Sequence, residues 1–188
     1  MIWGLPVLEL LLNGTRQAPS FVPLWWQSRS FLWDETRHMV RLRTVRRTLL
    51  RGCPAPATLL FDEGPIFALI WLRGFGHPVM RSEASEPWWR AIFGEWKGLV
   101  STILVLDAPD ELLAQRIRSR PEEHEIKQAS DTEVAAWVGR FREALAWVLE
   151  NLEPGPATTV VRLESGSETP EQIAERALAA IEGHVHAG

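Results

Sequence analysis

The chain has 188 residues, of which 46% are apolar and 23% are charged, so it is long enough to bury a substantial core. Its formal net charge of −4 excludes a uniformly basic surface, and we therefore expect no nucleic-acid partner. One cysteine, Cys53, excludes a disulfide framework and a cysteine-rich metal site, which favours a reducing compartment.

The apolar segment 1–12 is not expected to be a signal peptide. It lacks a basic start and a small-residue cleavage site, and it carries Glu9 within the apolar run. No apolar stretch reaches the roughly 18 residues that a membrane span requires. We therefore expect a cytoplasmic protein with no membrane partner, folded as a single domain over residues 1–188.

Helices are predicted over residues 1–16 and 20–51, and the second ends at Gly52. One face of the second helix carries apolar residues at helical spacing: Leu32, Met39, Leu42, Val45 and Leu49. Seven arginines between Arg29 and Arg51 occupy much of the remainder. They either bind phosphates or nucleic acid, or they form a solvated outer face.

Ala57 to Phe61 is a short apolar run that predicts a buried parallel strand. Asp62 and Glu63 follow it directly. Carboxylates in that place can hold Mg²⁺ or accept a proton from an attacking hydroxyl. Alternatively, they are turn residues that cap the next helix.

Helices are then predicted over about 66–73 and 86–97, followed by the clearest strand, 99–106. Asp107 ends this strand and can cap a helix that runs to about Arg120.

A polar loop over 121–129 leads to a long helix, which Ser130 and Glu133 open as a capping box. The apolar face of this helix consists of Val134, Trp137, Val138, Phe141, Leu145 and Val148. A third strand over 158–163 comes next, and Thr169 and Gln172 open the last helix in the same way.

Strands that alternate with helices predict an α/β fold, with a parallel sheet covered by helices on both faces. Ligands of such sheets bind beyond the carboxyl ends of the strands. Asp62 and Asp107 both follow predicted strands, so we expect them at one edge of the sheet.

Three arginines, Arg116, Arg118 and Arg120, fall at the end of the helix that follows Asp107. Arg116 and Arg120 are four residues apart, which predicts one helix face and a common direction into the following loop. Guanidinium groups suit phosphate oxygens and the charge that develops during phosphoryl transfer. At a solvated helix end, the same cations would offset the helix dipole.

Two tryptophan pairs, Trp25–Trp26 and Trp88–Trp89, either stack on a base or sugar or belong to a core or interface. No pair of the five histidines has convincing ligand spacing, and we assign none of them to a metal.

The order of LLFDEGP, ILVLDAP, ELLAQRIRSR, a polar loop, a long helix and TTVVRLESGSETPEQIAERAL resembles the later part of P-loop nucleotide kinases. The likeness is to the thymidylate kinase-like and deoxynucleoside kinase-like enzymes, over about residues 57–182. It implies a three-layer fold and transfer of the ATP γ-phosphoryl group to a nucleotide or other small-molecule acceptor, with ATP and Mg²⁺ as cofactors. A homodimer is compatible with it.

The resemblance also implies residue roles. Asp62 would serve Mg²⁺ or the acceptor hydroxyl, with Glu63 beside it, and Arg116 and Arg120 would be the catalytic arginines of a lid formed by 121–129.

Arg118 and Asp107 would contribute to cofactor binding, and Arg37 or Arg41 would face the acceptor. Those kinases commonly have arginine at the position of Glu63, which leaves the acceptor class open.

The family's phosphate-binding loop, G-x-x-x-x-G-K-[ST], is not found in the sequence, and neither Lys97 nor Lys127 lies in such a motif. The strand that precedes this loop, usually central in the sheet, is not found either. We expect either that the reading frame before Met1 encodes both, or that the chain is a non-catalytic interaction module on a degenerate scaffold. In both cases the 188 residues should bind ATP·Mg²⁺ poorly.

Overall fold

A computed structural model describes residues 33–51, 59–121, 124–152, 158–166 and 168–185. Within them lie six α-helices, two strands and two short 3₁₀ helices. The helices are α1 (Trp33–Leu50), α2 (Pro65–Gly74), α3 (Glu86–Trp96), α4 (Asp110–Ser119), α5 (Asp131–Leu152) and α6 (Pro170–Val185). The strands are β1 (Thr102–Asp107) and β2 (Thr159–Glu164), and the 3₁₀ helices are Pro78–Arg81 and Glu83–Ser85.

The helix predicted over 1–16 lies outside the described residues, as does the first part of the one predicted over 20–51. None of the helices in the described part has both the length and the apolarity needed to cross a membrane.

The chain divides into two compact units. The first unit consists of Met1–Trp96 and Ala144–Asn151, and the second consists of Lys97–Glu143 and Leu152–Gly188.

The first unit has a core rich in aromatic side chains. Trp88 and Trp89 are buried, which confirms the core interpretation of this pair. Trp89 packs against Phe93 and Trp147, and its indole N–H donates to the Met80 carbonyl at 2.8 Å. Helix α2 contributes buried aliphatic side chains, among them Ala68, Leu69, Ile70 and Leu72.

Two buried titratable side chains lie one turn apart on α1. Glu35 accepts a hydrogen bond from the backbone N–H of His77 at 2.7 Å, and His38 stacks on Trp71 with ring centroids 4.4 Å apart. Glu35 Oε2 and His38 Nδ1 are buried and have no hydrogen-bond partner among the described residues. Burial, helped by the nearby charges of Arg37 and Arg41, lowers the pKa of His38 from 6.5 to about 4.

The second unit contains a parallel pair of strands. The register runs from Thr102 beside Thr159 to Asp107 beside Glu164, which confirms the predicted parallel pairing. The second unit also contains a small apolar cluster, formed by Ala114 and Ile117 of α4, Ile126, and Val134 and Val138 of α5.

The fold is therefore mixed α/β, as predicted, but it is mostly helical, and the sheet within the described residues has two strands. The strand predicted over 57–61 is wrong for residues 59–61, which are outside any strand and exposed, Leu60 by 78%. Residues 57–58 lie outside the described part. Because no described strand pairs with 59–61, their apolar side chains have no sheet face on which to be buried.

Candidate functional site

The carboxyl end of β1 carries a cluster of charged side chains in the second unit. Asp107 Oδ1 accepts hydrogen bonds from the Ala108 N–H at 2.8 Å and from Arg142 Nη2 at 2.9 Å. Arg142 also donates to the Ala108 carbonyl at 2.8 Å and to Asp110 Oδ1 at 2.5 Å. A single guanidinium of α5 thus joins the end of β1 to the first turn of α4.

The prediction that Asp107 caps the next helix was wrong. Helix α4 begins at Asp110, Pro109 occupies the N-cap position, and no side chain caps it. The Asp107 carboxylate is engaged by the guanidinium of Arg142, which binds a carboxylate with several donors at once.

The charges of this cluster reinforce each other. Burial alone would raise the pKa of Asp107, but the hydrogen bonds from Arg142 and the Ala108 amide together bring it below 3.8. The hydrogen bonds to Asp107 and Asp110 raise the pKa of Arg142 in turn. Asp107 and Arg142 therefore stay ionised at neutral pH, and the arginine is occupied by protein carboxylates.

Arg116 does not extend into the loop after α4. Its Nη1 donates to Ser165 Oγ at 2.7 Å, and its Nη2 donates to the Ser165 carbonyl. Ser165 is 8% exposed, and its N–H donates to the Asp107 carbonyl at 2.8 Å. Arg116 therefore anchors the segment after β2 against α4, beside the end of β1.

Arg120 has left the helix on which Arg116 lies. It is the C-cap residue of α4, with an extended backbone at φ −62° and ψ 137°. The predicted common helix face of Arg116 and Arg120 was therefore wrong, because it required helical backbone at both positions. The Arg120 side chain is exposed and makes no hydrogen bond or ion pair with another described residue.

Arg118 is engaged at the surface. It donates to Asp131 Oδ1 at 2.5 Å and to the Ala129 carbonyl at 3.4 Å. These contacts link the last turn of α4 to the first turn of α5, so Arg118 supports the loop between the two helices.

The predicted lid, 121–129, is anchored in its second half. Ile126 is buried, the Trp137 indole N–H donates to Glu125 Oε1 at 2.7 Å, and Lys127 Nζ donates to the Arg120 carbonyl at 2.5 Å. Residues 122–123 lie outside the described part.

Asp62 and Glu63 lie in an exposed turn of the first unit. Glu63 has a left-handed backbone, at φ 47°, and its carboxylate is 3.8 Å from Arg41. Gly64 is the N-cap of α2 without a side-chain capping bond, so neither carboxylate caps that helix. Because 59–61 is not a strand, the premise of a shared sheet edge for Asp62 and Asp107 does not hold.

The described residues do not by themselves form a complete Mg²⁺·ATP site. Mg²⁺ in kinase sites needs one or two carboxylates together with substrate phosphates that are already held. No group of three or more metal-ligating side chains occurs among the described residues. Asp62 offers one exposed carboxylate, and the 188 residues contain no loop of the phosphate-binding type.

Arg142 is the residue of this cluster that sequence reasoning missed. It lies 35 positions from Asp107 and shows no spacing relationship to it. Comparison with protein-family models, with curated proteins and with solved structures found no match. The geometry of the side chains is therefore the basis on which a function is assigned.

Proposed function

We propose that the chain is part of a phosphotransferase of the P-loop nucleotide kinase type. In this proposal the phosphotransferase of which the chain is part transfers the ATP γ-phosphoryl group to a nucleotide or other small-molecule acceptor, with Mg²⁺ as the second cofactor. The support is the succession of a strand ending in Asp107, helix α4, an arginine-bearing turn, the long helix α5 and a parallel return strand. The proposal includes a three-layer fold, in which helices cover both faces of a parallel sheet.

The observation that carries the proposal is the position of Arg120. Its backbone is fixed on both sides, because its N–H donates to the Arg116 carbonyl at 3.2 Å and its own carbonyl accepts from Lys127. Its guanidinium is exposed and unengaged among the described residues. A fixed backbone with a free guanidinium suits a group that binds phosphate oxygens during phosphoryl transfer.

The other predicted arginines have supporting roles in this proposal. Arg116 holds the segment after β2, Arg118 holds the start of α5, and Arg142 holds the end of β1. Holding the ATP phosphates falls to residues that the 188 do not include, since no loop of that type occurs in them.

The test compares two chains. The 188 residues alone should show no Mg²⁺-dependent ATP binding in a titration with labelled ATP. The protein translated in frame from the sequence before Met1 should turn over ATP with a small-molecule acceptor. In it, Arg120→Ala should lower kcat by about 10³-fold or more, while Arg118→Ala stays within a few-fold.

Two results would overturn the proposal. One is an in-frame stop codon directly before Met1, and the other is an equal loss of kcat in the Arg120→Ala and Arg118→Ala variants.

A second candidate function is a non-catalytic interaction module. The observation in its favour is the contiguous apolar run Leu59–Phe61, whose three side chains are 46%, 78% and 44% exposed. The buried pair Trp88–Trp89 does not provide such an interface. This candidate predicts a homodimer in sedimentation experiments that Leu60→Asp converts to monomer, and no ATP turnover by any extended chain.

A further inference from the structure

Helix α1 and the residue after it carry more positive charge than any other part of the described chain. Residues 33–51 contain six arginines and two acidic residues, while the whole chain has a net charge of −4. The excess of acidic residues therefore lies outside residues 33–51, and the net charge of the whole chain does not describe the charge of this helix.

Two of the six arginines face the protein. Burial lowers the pKa of Arg43, and Arg46 donates to the Glu95 carbonyl at 3.0 Å. The remaining four, which we call the basic face, are exposed: Arg37, Arg41, Arg47 and Arg51. Arg51 continues the helix, since its N–H donates to the Arg47 carbonyl at 3.1 Å.

The four arginines of the basic face lie on one side of α1. With about 3.6 residues per turn, these four arginines fall within an arc of about 120°, opposite the side that buries Met39 and Leu42. The exposed residues Thr44 and Thr48 lie in the same arc. From Arg37 to Arg51 the face is about 21 Å long, at about 1.5 Å of rise per residue.

Contacts with the described residues do not explain these arginines. Arg41 is 3.8 Å from Glu63, an exposed pair of the kind that contributes little. Arg37, Arg47 and Arg51 make no side-chain hydrogen bond or ion pair with a described residue. Positive charges four residues apart, as in Arg37 and Arg41, repel each other and disfavour the helix.

We propose that the basic face binds the phosphate backbone of a double-stranded nucleic acid. A duplex carries a regular row of phosphates along each of its two strands, and four arginines spread over about 21 Å of helix can contact several of them. Guanidinium groups bind phosphate oxygens with two donors at once. Contacts of this kind do not depend on base sequence.

The positions of the apolar side chains of α1 argue against an anionic membrane as the partner. Amphipathic helices that bind membranes place their apolar side chains among the lipids. On α1 these side chains are in the protein core, with Met39 4% and Leu42 1% exposed. A single small phosphate compound would reach only part of a face of this length.

The test uses the whole 188-residue chain and fluorescence anisotropy with labelled duplexes of about 20 base pairs, DNA and RNA. One variant changes all four arginines of the basic face to glutamine. Its matched control changes four exposed arginines elsewhere and so removes the same charge: Arg90, Arg118, Arg162 and Arg176. Circular dichroism melts establish that both variants are folded.

We expect the unmodified chain to bind either duplex at about 50 mM salt, and the logarithm of its affinity to fall against the logarithm of salt with a slope of about −3 to −4. The basic-face variant should lose at least about tenfold in affinity, and the control should lose much less. No binding at low salt, or an equal loss in both variants, would overturn the proposal. Tighter binding to vesicles of phosphatidylcholine and phosphatidylserine than to either duplex would also overturn it and identify a membrane surface.

Discussion

The guanidinium of Arg142, on α5, donates to the carboxylate of Asp107 at the carboxyl end of β1, with Nη2 and Oδ1 2.9 Å apart. Removing it should leave Asp107 and Asp110 without the guanidinium that hydrogen-bonds to both. Both partners are more than a third exposed, so the loss of unfolding free energy in Arg142→Ala should be about 1 kcal/mol. Urea denaturation measures it, and Arg176→Ala, which removes another exposed ion pair, is the matched control. A loss no greater than that of the control would contradict a stabilising role for this cluster.

The lowered pKa of His38 predicts that the stability of the fold depends on pH. Its pKa in the folded chain is about 4, against an ordinary value of 6.5, so the unfolded chain binds more protons between these two values. Stability should therefore fall as the pH drops from 6.5 towards 4, by about 1–3 kcal/mol, with no further contribution from this group at lower pH.

Denaturation at several pH values measures this dependence. In His38→Phe, which keeps an aromatic ring against Trp71, the dependence in that window should largely disappear. His124→Gln should retain it. An unchanged profile in His38→Phe would show that another group is responsible.

Replacing Arg116 should lower the free energy of unfolding. Arg116→Ala removes two donors from the buried Ser165, and we expect a loss of about 1–3 kcal/mol. Arg116→Lys should recover only part of it, since an ammonium group lacks the two-pronged geometry. A double-mutant cycle with Ser165→Ala measures the coupling through the Ser165 hydroxyl, and a coupling near zero would refute that side-chain contact.

The core of the first unit should be sensitive to truncation in α2. Leu72 is 0% exposed, and Leu72→Ala should reduce the free energy of unfolding by about 2–5 kcal/mol. Leu106 is 62% exposed, and Leu106→Ala should change it by less than about 0.5 kcal/mol. Equal effects of the two substitutions would contradict the burial described above.

Local features of this chain could be predicted from its sequence. The capping boxes of Ser130 with Glu133 and of Thr169 with Gln172 both form, because each depends on residues three positions apart. The strands near 102–107 and 159–164 were predicted because each is a β-branched or aliphatic run bounded by helices.

Long-range contacts could not be predicted in the same way. The partner of Arg116 is 49 positions away, and neither residue belongs to a motif that indicates the other. The apolar run ending at Phe61 was assigned to a strand from its composition, but a strand also needs a neighbour with which to pair, and composition carries no information about that. The fixed backbone of Arg120 depends on its carbonyl contact with Lys127, which spacing does not reveal either.

The tryptophans are distributed unevenly between the two compact units. Of the seven tryptophans among the described residues, six belong to the first unit and one, Trp137, belongs to the second. Intrinsic fluorescence will therefore follow the first unit almost exclusively, whereas far-ultraviolet circular dichroism will follow the helices of both. Coincident denaturation curves from the two methods would mean that the units unfold as one cooperative species, and separated curves would mean that each has its own transition.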